Sequence, residues 1–359
     1  MSNLKKLILI LLLLIPVEIK GYSTYATSAI LMDMDSNNII YENNIHNVRS
    51  VASISKIMTA IVAIENSNLD DVVTIGEEIL SSYGSGIYIK QGEQLTVRDL
   101  LYGLMLRSGN DAALAIANYV GKDIDSFVKM MNEKAKEIGM KNSVFNNPHG
   151  LDSSGGNLST AYDMALLTSY AMKNEEYKKI VSTKKYTLKT NMNYYSWTNK
   201  NKLLHSHEYI TGGKTGFTDI AKRTLVTTAS KDNVNLVVVT LNDGNDFADH
   251  IKLYDKAFAN YKNYQILKKG NINIIDEDFY NQPLYIENDF YYTLPNKENN
   301  VLLNFKLEKL YNYKNNDKVG IVEVLINGKK VLEEDIFIVL ENKEISFFDK
   351  MKAWFKSLW

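Results

Sequence analysis

The chain contains no cysteine. That excludes disulfides, thiolate metal sites, a cysteine nucleophile and a lipid-modified cysteine anchor. Surplus charge is missing too: 41 Lys and Arg stand against 42 Asp and Glu, a net charge of −1. A nucleic-acid partner requires a basic face to neutralise phosphates, and the overall balance supplies none. No solenoid period and no low-complexity tract interrupts the sequence. Histidine is scarce, at five residues. His205 and His207 in "LLHSHEYI" have a metal-like i, i+2 spacing on a segment expected to be extended, but no third ligand accompanies them. The expectation is a loop, with no metal and no cofactor.

What is present fits an exported protein of two or three domains: 359 residues, 45% hydrophobic and 23% charged. Lys5 and Lys6 precede "LILILLLLI", residues 7–15, a basic stretch followed by an apolar run too short to span a bilayer comfortably. A secretory signal peptide over residues 1–26 is expected, with Thr24-Tyr25-Ala26 as a candidate cleavage site and an uncleaved signal anchor as the alternative. At the other end, "SFFDKMKAWFKSLW" places Phe347, Phe348, Met351, Trp354, Phe355, Leu358 and Trp359 on one helical face, with Asp349, Lys350, Lys352 and Lys356 on the other. Residues 344–359 therefore read as a basic amphipathic helix suited to a membrane surface, with docking on the protein itself as the alternative.

Between these ends the pattern changes twice. Residues 29–34 and 39–41 flank a turn and read as a hairpin. A helical run begins at Ser55, and four apolar or amphipathic segments follow to residue 172, with Gly121 expected at a helix C′ position. "RTLVTTAS" and "VNLVVVTLN" are strands separated by the turn "KDN", and "DFADHIKLYDKAFANY" is a helix. Strands at both ends of this segment predict one sheet assembled from its two ends and covered by helices, over residues 27–265. Residues 266–343 read as a small, separate all-β domain of short alternating strands.

Chemistry concentrates in "SVASISKIMTA". Residues three apart share a helix face, so Ser53 can meet Lys56, whereas Ser55 points elsewhere and Ser50 lies outside the helix. A serine hydroxyl needs a group to take its proton. Burial against Ile57 and Met58, and any neighbouring cation, would lower the Lys56 pKa and free it to act as that base. S-x-x-K alone is common by chance. Two further stretches sharpen it: "RSGNDAA" sets Ser108 and Asn110 around Gly109 at a break between helices, and "GGKTGFTD" sets Lys214 and Thr215 before Gly216 at the start of a strand. Gly216 would let a substrate approach the strand edge, and Lys214 with Thr215 suits an anion such as a carboxylate.

S-x-x-K, S-x-N and K-T-G in this order form a specific signature. The chain resembles the active-site-serine penicillin-binding acyltransferases and, among them, is similar to the low-molecular-mass D-alanyl-D-alanine carboxypeptidases of the S11 type. Supporting stretches are "SGNDAALAIA", "NPHGLD", "STAYDMALL" and "GGKTGFT". The resemblance implies an α/β-α fold, a mainly antiparallel sheet covered by helices, followed by the small all-β domain. It implies Ser53 as nucleophile, Lys56 as base, and Ser108 and Asn110 as proton relay and substrate-amide holder. Lys214 would serve Ser108 and the substrate carboxylate, which Thr215 also binds. The N–H groups of Ser53 and Phe217 would form the oxyanion hole, and Thr218 would contact the substrate terminus or its neighbour. The implied reaction removes the terminal D-alanine from peptidoglycan pentapeptide stems through an acyl-enzyme, at the outer face of the cytoplasmic membrane. β-Lactams would acylate Ser53.

The chain departs from the family pattern at Val51, where proline is common, at Asn157, where "G-H-x-S-T" often has histidine, and at Ala221-Lys222, where Ala-Gly is frequent. Three rivals stay open: a DD-endopeptidase, a slow peptidoglycan-binding scaffold, and a class A β-lactamase. The last would need a glutamate four residues before an asparagine, and none of the glutamates between Asn110 and Lys214 has one.

Overall fold

The computed structural model describes residues 22–152, 156–274, 279–297 and 299–340. Most of the expected leader and all of the expected amphipathic tail lie outside the described residues. Within the leader range, Ala26 is buried and the Tyr25 N–H donates to Asp249 Oδ2 at 2.5 Å.

A five-stranded antiparallel sheet runs in the order Ile39–Asn43, Ser28–Asp33, Val234–Leu241, Lys222–Lys231, Ile210–Thr218. The Ser28–Asp33 strand pairs with Val234–Leu241, about two hundred residues later, so the sheet is assembled from both ends as expected. The reason "VNLVVVTL" is apolar on both faces, Asn235 and Thr240 apart, lies in its two covered faces. Val237, Val239 and Leu241 enter one core, while Leu236 and Val238 enter another on the opposite side. The first core holds the Lys56–Asn66 and Ala161–Ala171 helices; the second holds the Asp246–Asn260 helix. Ile210–Thr218 is the sheet's edge strand, which leaves one side of the "GGKTGFT" segment open.

Two readings need correction. The left-handed residue after the Asn110–Gly121 helix is Lys122 (φ 68°), so Gly121 is the last helical residue and not C′. Glycine is there because a Cβ would lie 2.7 Å from the Phe127 backbone nitrogen, which lets the next helix, Ile124–Ile138, start close by. His205 sits in a one-turn helix, Leu203–Ser206, with His207 at its end, and not on an extended segment. The Lys185–Lys189/Tyr194–Thr198 hairpin and the Glu175–Ser182 helix have no counterpart among the expectations.

The C-terminal region forms its own five-stranded sheet, in the order Gly270–Ile272, Leu284–Ile286, Lys329–Ile338, Lys318–Ile326, Val301–Leu307. Val319, Val322, Val324, Ile336 and Ile338 fill a core distinct from the other two. The expected border at 265/266 falls inside one strand, Tyr261–Leu267, which pairs with Phe290–Pro295. Thr293 Oγ1 donates to the buried Asp33 Oδ2 at 2.6 Å, tying this ladder to the first sheet.

Under the first sheet His250 is fully buried, its Nδ1 2.6 Å from Thr227 Oγ1 and its Nε2 3.1 Å from Thr240 Oγ1. Burial pushes its pKa down to about 3. The folded imidazole stays neutral where the unfolded one, near its ordinary value of ~6.5, takes a proton. The stability contributed is therefore complete above that value and is lost as pH falls from ~6.5 towards 3, on the order of 5 kcal/mol in all. Urea midpoints measured from pH 7 to pH 4 should fall more steeply in the native protein than in His250→Gln. Parallel slopes would contradict the assignment.

Candidate active site

Three serines crowd Lys56 in the sequence, and the fold separates their tasks. Ser50 Oγ donates to Asp152 Oδ1 at 2.6 Å, and Ser55 Oγ donates to the Ala52 carbonyl at 2.8 Å. Ser53 alone faces the lysine, its Oγ 3.0 Å from Lys56 Nζ. Ser53 belongs to a 3-10 turn, Ala52–Ser55, that runs directly into the Lys56–Asn66 helix. Ala52 opens that turn at φ 50°, a left-handed conformation that costs a residue with a Cβ about 1–2 kcal/mol. Backbone strain of this kind collects at functional sites.

Lys56 is fully buried. Its Nζ meets Asn110 Oδ1 at 2.7 Å and the His149 carbonyl at 2.5 Å, besides Ser53. Its pKa is held well below the ordinary lysine range, first by burial and then by the Lys214 and Lys200 ammoniums, against a smaller opposing pull from Asp111. Valence then decides what the neutral amine can do. Two of its three oxygen partners are carbonyls, which only accept, so they take its two N–H groups. The lone pair is left for Ser53, the one partner with a proton to give.

A second lysine–serine pair faces the first. Lys214 Nζ donates to Ser108 Oγ at 3.0 Å and to the Thr215 carbonyl at 2.7 Å. It is buried, and burial followed by Lys200 lowers its pKa to about 7. Such an amine can give or accept a proton near neutrality. Ser108 ends a π-helical turn, Gly103–Arg107, and is itself the left-handed residue (φ 64°). The left-handed residue at this break between helices is therefore Ser108 and not the neighbouring Gly109. Gly109 has φ −60°, and its hydrogen is needed for space, since a Cβ would lie 2.9 Å from Asp111 Oδ1.

Asn110 starts the Asn110–Gly121 helix and bridges two parts of the site. Its Oδ1 accepts from Lys56, its Nδ2 donates to the Tyr83 carbonyl at 2.6 Å, and its backbone N–H donates to the Ser85 carbonyl at 2.8 Å. Asp111 holds the same loop by accepting from the N–H groups of Ile87 and Tyr88.

The edge strand closes the other wall. A Cβ on Gly216 would lie 2.4 Å from Thr224 Oγ1 and 3.0 Å from the Ser53 backbone nitrogen. What approaches Gly216 within the protein is thus the turn that carries Ser53, which Thr224 also holds by donating to the Val51 carbonyl at 3.1 Å. Phe217 is exposed beside it, and Thr218 Oγ1 accepts from the Ala221 N–H at 3.0 Å.

Ser53, Lys56, Ser108, Asn110, Lys214 and Gly216 are brought together by these contacts, and Thr215, Phe217 and Thr218 continue the same strand. The residues sequence reasoning missed are Lys200, Asn147 and the main chain of His149. "NPHGLD" was a recognisable stretch, but no side-chain pattern marks a carbonyl as a lysine's partner. The His149 ring stays neutral, its pKa lowered to about 4 by burial and then by Lys56, and its Nδ1 accepts from the Leu151 N–H. Among the described residues no cluster of metal-ligating side chains occurs; His205 Nε2 lies 3.1 Å from the Asn199 carbonyl.

A serine paired with a buried, charge-suppressed lysine, opposite a second such pair, defines a serine acyltransferase in which lysine stands where many hydrolases place histidine. Residues 17–245 match the family described as D-alanyl-D-alanine carboxypeptidase, peptidase S11, and the chain belongs to that family. It is 34% identical over 254 residues to the D-alanyl-D-alanine carboxypeptidase DacF of Bacillus subtilis, covering 68% of this chain and 65% of that relative. To DacC of Escherichia coli it is 30% identical over 359 residues, 93% of this chain and 88% of the relative. Among solved structures, penicillin binding protein 5 from Haemophilus influenzae superposes with a TM-score of 0.74 at 26% identity, covering 88% of this chain and 97% of the other.

Proposed function

We propose that the chain is a serine D-alanyl-D-alanine carboxypeptidase that removes the terminal D-alanine from peptidoglycan stem peptides and thereby limits cross-linking. The observation that carries this reading is the 3.0 Å contact between Ser53 Oγ and a fully buried Lys56 whose contacts are neutral oxygens.

Ser53 Oγ attacks the carbonyl of the penultimate D-alanine while its proton passes to Lys56. Charge developing on the carbonyl oxygen is met by the N–H groups of Ser53 and Phe217, an interaction of the kind worth about 3 kcal/mol. The proton taken by Lys56 is returned by way of Ser108, held by Lys214, to the departing amine, so the C–N bond breaks to release D-alanine and Lys56 is neutral again. Water, deprotonated through Lys56, then hydrolyses the acyl-enzyme. Lys214 in its ammonium form, with Thr215, binds the substrate's terminal carboxylate, while Asn110 and Thr218 hold the peptide. A β-lactam, which presents a strained amide and a carboxylate, acylates the same serine.

A leader over residues 1–26 exports the chain, residues 27–265 carry catalysis, residues 266–343 serve as a spacer, and the basic amphipathic stretch 344–359 rests on the membrane surface. No helix among the described residues is long and apolar enough to cross a membrane.

Incubation with a pentapeptide ending in D-Ala-D-Ala should release one D-alanine per peptide and leave a tetrapeptide. Release only from cross-linked dimers would indicate an endopeptidase, and acylation by penicillin without release would indicate a slow scaffold. Cosedimentation with anionic vesicles should be lost on deletion of residues 344–359; unchanged binding would remove the tail from the account.

A further inference from the structure

We infer that Asn157, together with Thr59, is a positioning residue for Lys56: the two fix the loop whose His149 carbonyl takes one of the lysine's N–H groups. This rests on the reading of Lys56 as the base.

Asn157 is fully buried, and both polar ends of its side chain are committed to one loop. Its Oδ1 accepts from the N–H groups of Asn146 and Asn147, at 2.8 and 3.2 Å, and its Nδ2 donates to the Asn147 carbonyl at 2.9 Å. Two N–H donors on one side and a carbonyl on the other allow only this orientation of the amide. Asn147 passes the constraint on, because its Oδ1 accepts from the N–H groups of His149 and Gly150 at 3.2 and 2.6 Å. The next contact along is the His149 carbonyl on Lys56 Nζ.

Asn157 also reaches the nucleophile. Its backbone carbonyl accepts from the Val51 N–H at 3.1 Å, one residue before the left-handed Ala52. One residue thus brackets the turn that carries Ser53 and the loop that orients its base. Thr59 supplies a second, independent tie: one turn after Lys56 on the same helix, its buried Oγ1 donates to the Pro148 carbonyl at 2.6 Å.

The functional consequence follows from valence. With the His149 carbonyl in place, the neutral amine spends both N–H groups on fixed acceptors and presents its lone pair to Ser53. When that carbonyl drifts, the amine can rotate and the lone pair is no longer confined to the nucleophile. A carbonyl acceptor also favours the ammonium over the amine, so its loss moves the lysine's titration to lower pH. The charged groups acting on Lys56 from the surrounding elements are Lys214, Lys200 and Asp111, and neither substitution below touches them.

The test is the second-order rate of acylation by a penicillin, measured from pH 5 to pH 9 on the full chain with Asn157→Ala and Thr59→Val, alongside thermal melts. For Asn157→Ala the expected result is a fall of ~10-fold or more at neutral pH, with the acid limb displaced to lower pH; misplaced reacting groups commonly cost this much or more. Thr59→Val is nearly isosteric and should fold normally even if Asn157→Ala does not. It should show the same displacement with a loss of about 3-fold. A rate loss with an unmoved acid limb would make the role merely structural and overturn the inference, as would native rates in Thr59→Val. If the native protein takes no penicillin, the reading of Ser53 and Lys56 fails. If the native protein reacts and the variants match it, only this inference fails.

Discussion

Replacing Lys56 by methionine should reduce acylation by a penicillin by about a thousandfold or more, within the range supplied by a positioned general base, while leaving the melting temperature unchanged or higher. The first half follows from the contacts: among the described residues, no other group in hydrogen-bond contact with Ser53 can take its proton. The second half follows from burial. Among the described residues the Lys56 Nζ has no carboxylate within contact, only the oxygens of Ser53, Asn110 and His149, and two further lysines push against its charge. Isosteric apolar replacement of a buried charged group is often neutral or stabilising. A protein that folds better and reacts far more slowly would show the lysine to be retained for chemistry. Reaction within tenfold of native would contradict the assignment of the base.

Among the described glycines, Gly150→Ala should be the most damaging single added methyl group. Gly150 has φ +86°, and a Cβ there would stand 2.1 Å from the Ala52 carbonyl oxygen, 2.5 Å from its carbon and 2.6 Å from Ser55 Oγ. Two of those atoms are backbone of the turn that carries Ser53, so the turn or the loop bearing His149 must move. A displacement of about 1 Å at reacting groups can cost 100-fold in rate, and the combined clash and left-handed strain should lower stability by about 3 kcal/mol. Gly139→Ala separates the two causes. Gly139 has nearly the same φ, +88°, with nothing within 4 Å of the added atom. It should lose about 1 kcal/mol, the left-handed cost alone, and acylate at the native rate. Equal effects at the two positions would remove steric contact from the explanation. Denaturation midpoints and acylation rates on both variants decide it.

How much of this was legible in the sequence depends on how local each signal is. The Ser53–Lys56 pair is written in three residues of spacing, because a helical turn converts that spacing into contact. The sheet's central strand was legible because three of the four residues on each face of "VNLVVVTL" are apolar and it lies beside an obvious turn. Ser108 and Lys214 were legible only as members of a set of motifs; nothing in "RSGN" alone foretells that Ser108 takes the left-handed conformation in place of Gly109. Gly121 illustrates the opposite error: a glycine at a helix end invites a capping role, and its true reason, the approach of Phe127, is tertiary. Least legible were the backbone partners. The His149 carbonyl on Lys56, the Tyr83 carbonyl on Asn110 and the Val51 carbonyl on Thr224 are contacts of groups every residue carries, so no residue type announces them. Asn157 could be seen as a departure from a family pattern, but not as the residue that orders the loop.

The central claim is that Ser53 is the nucleophile. Intact mass of the native protein and of Ser53→Ala after exposure to a penicillin tests it most directly. One penicilloyl adduct on the native chain and none on a folded Ser53→Ala is the predicted result. An adduct of the same mass on both would place the reactive group elsewhere, and no adduct on either would contradict the account of the site altogether.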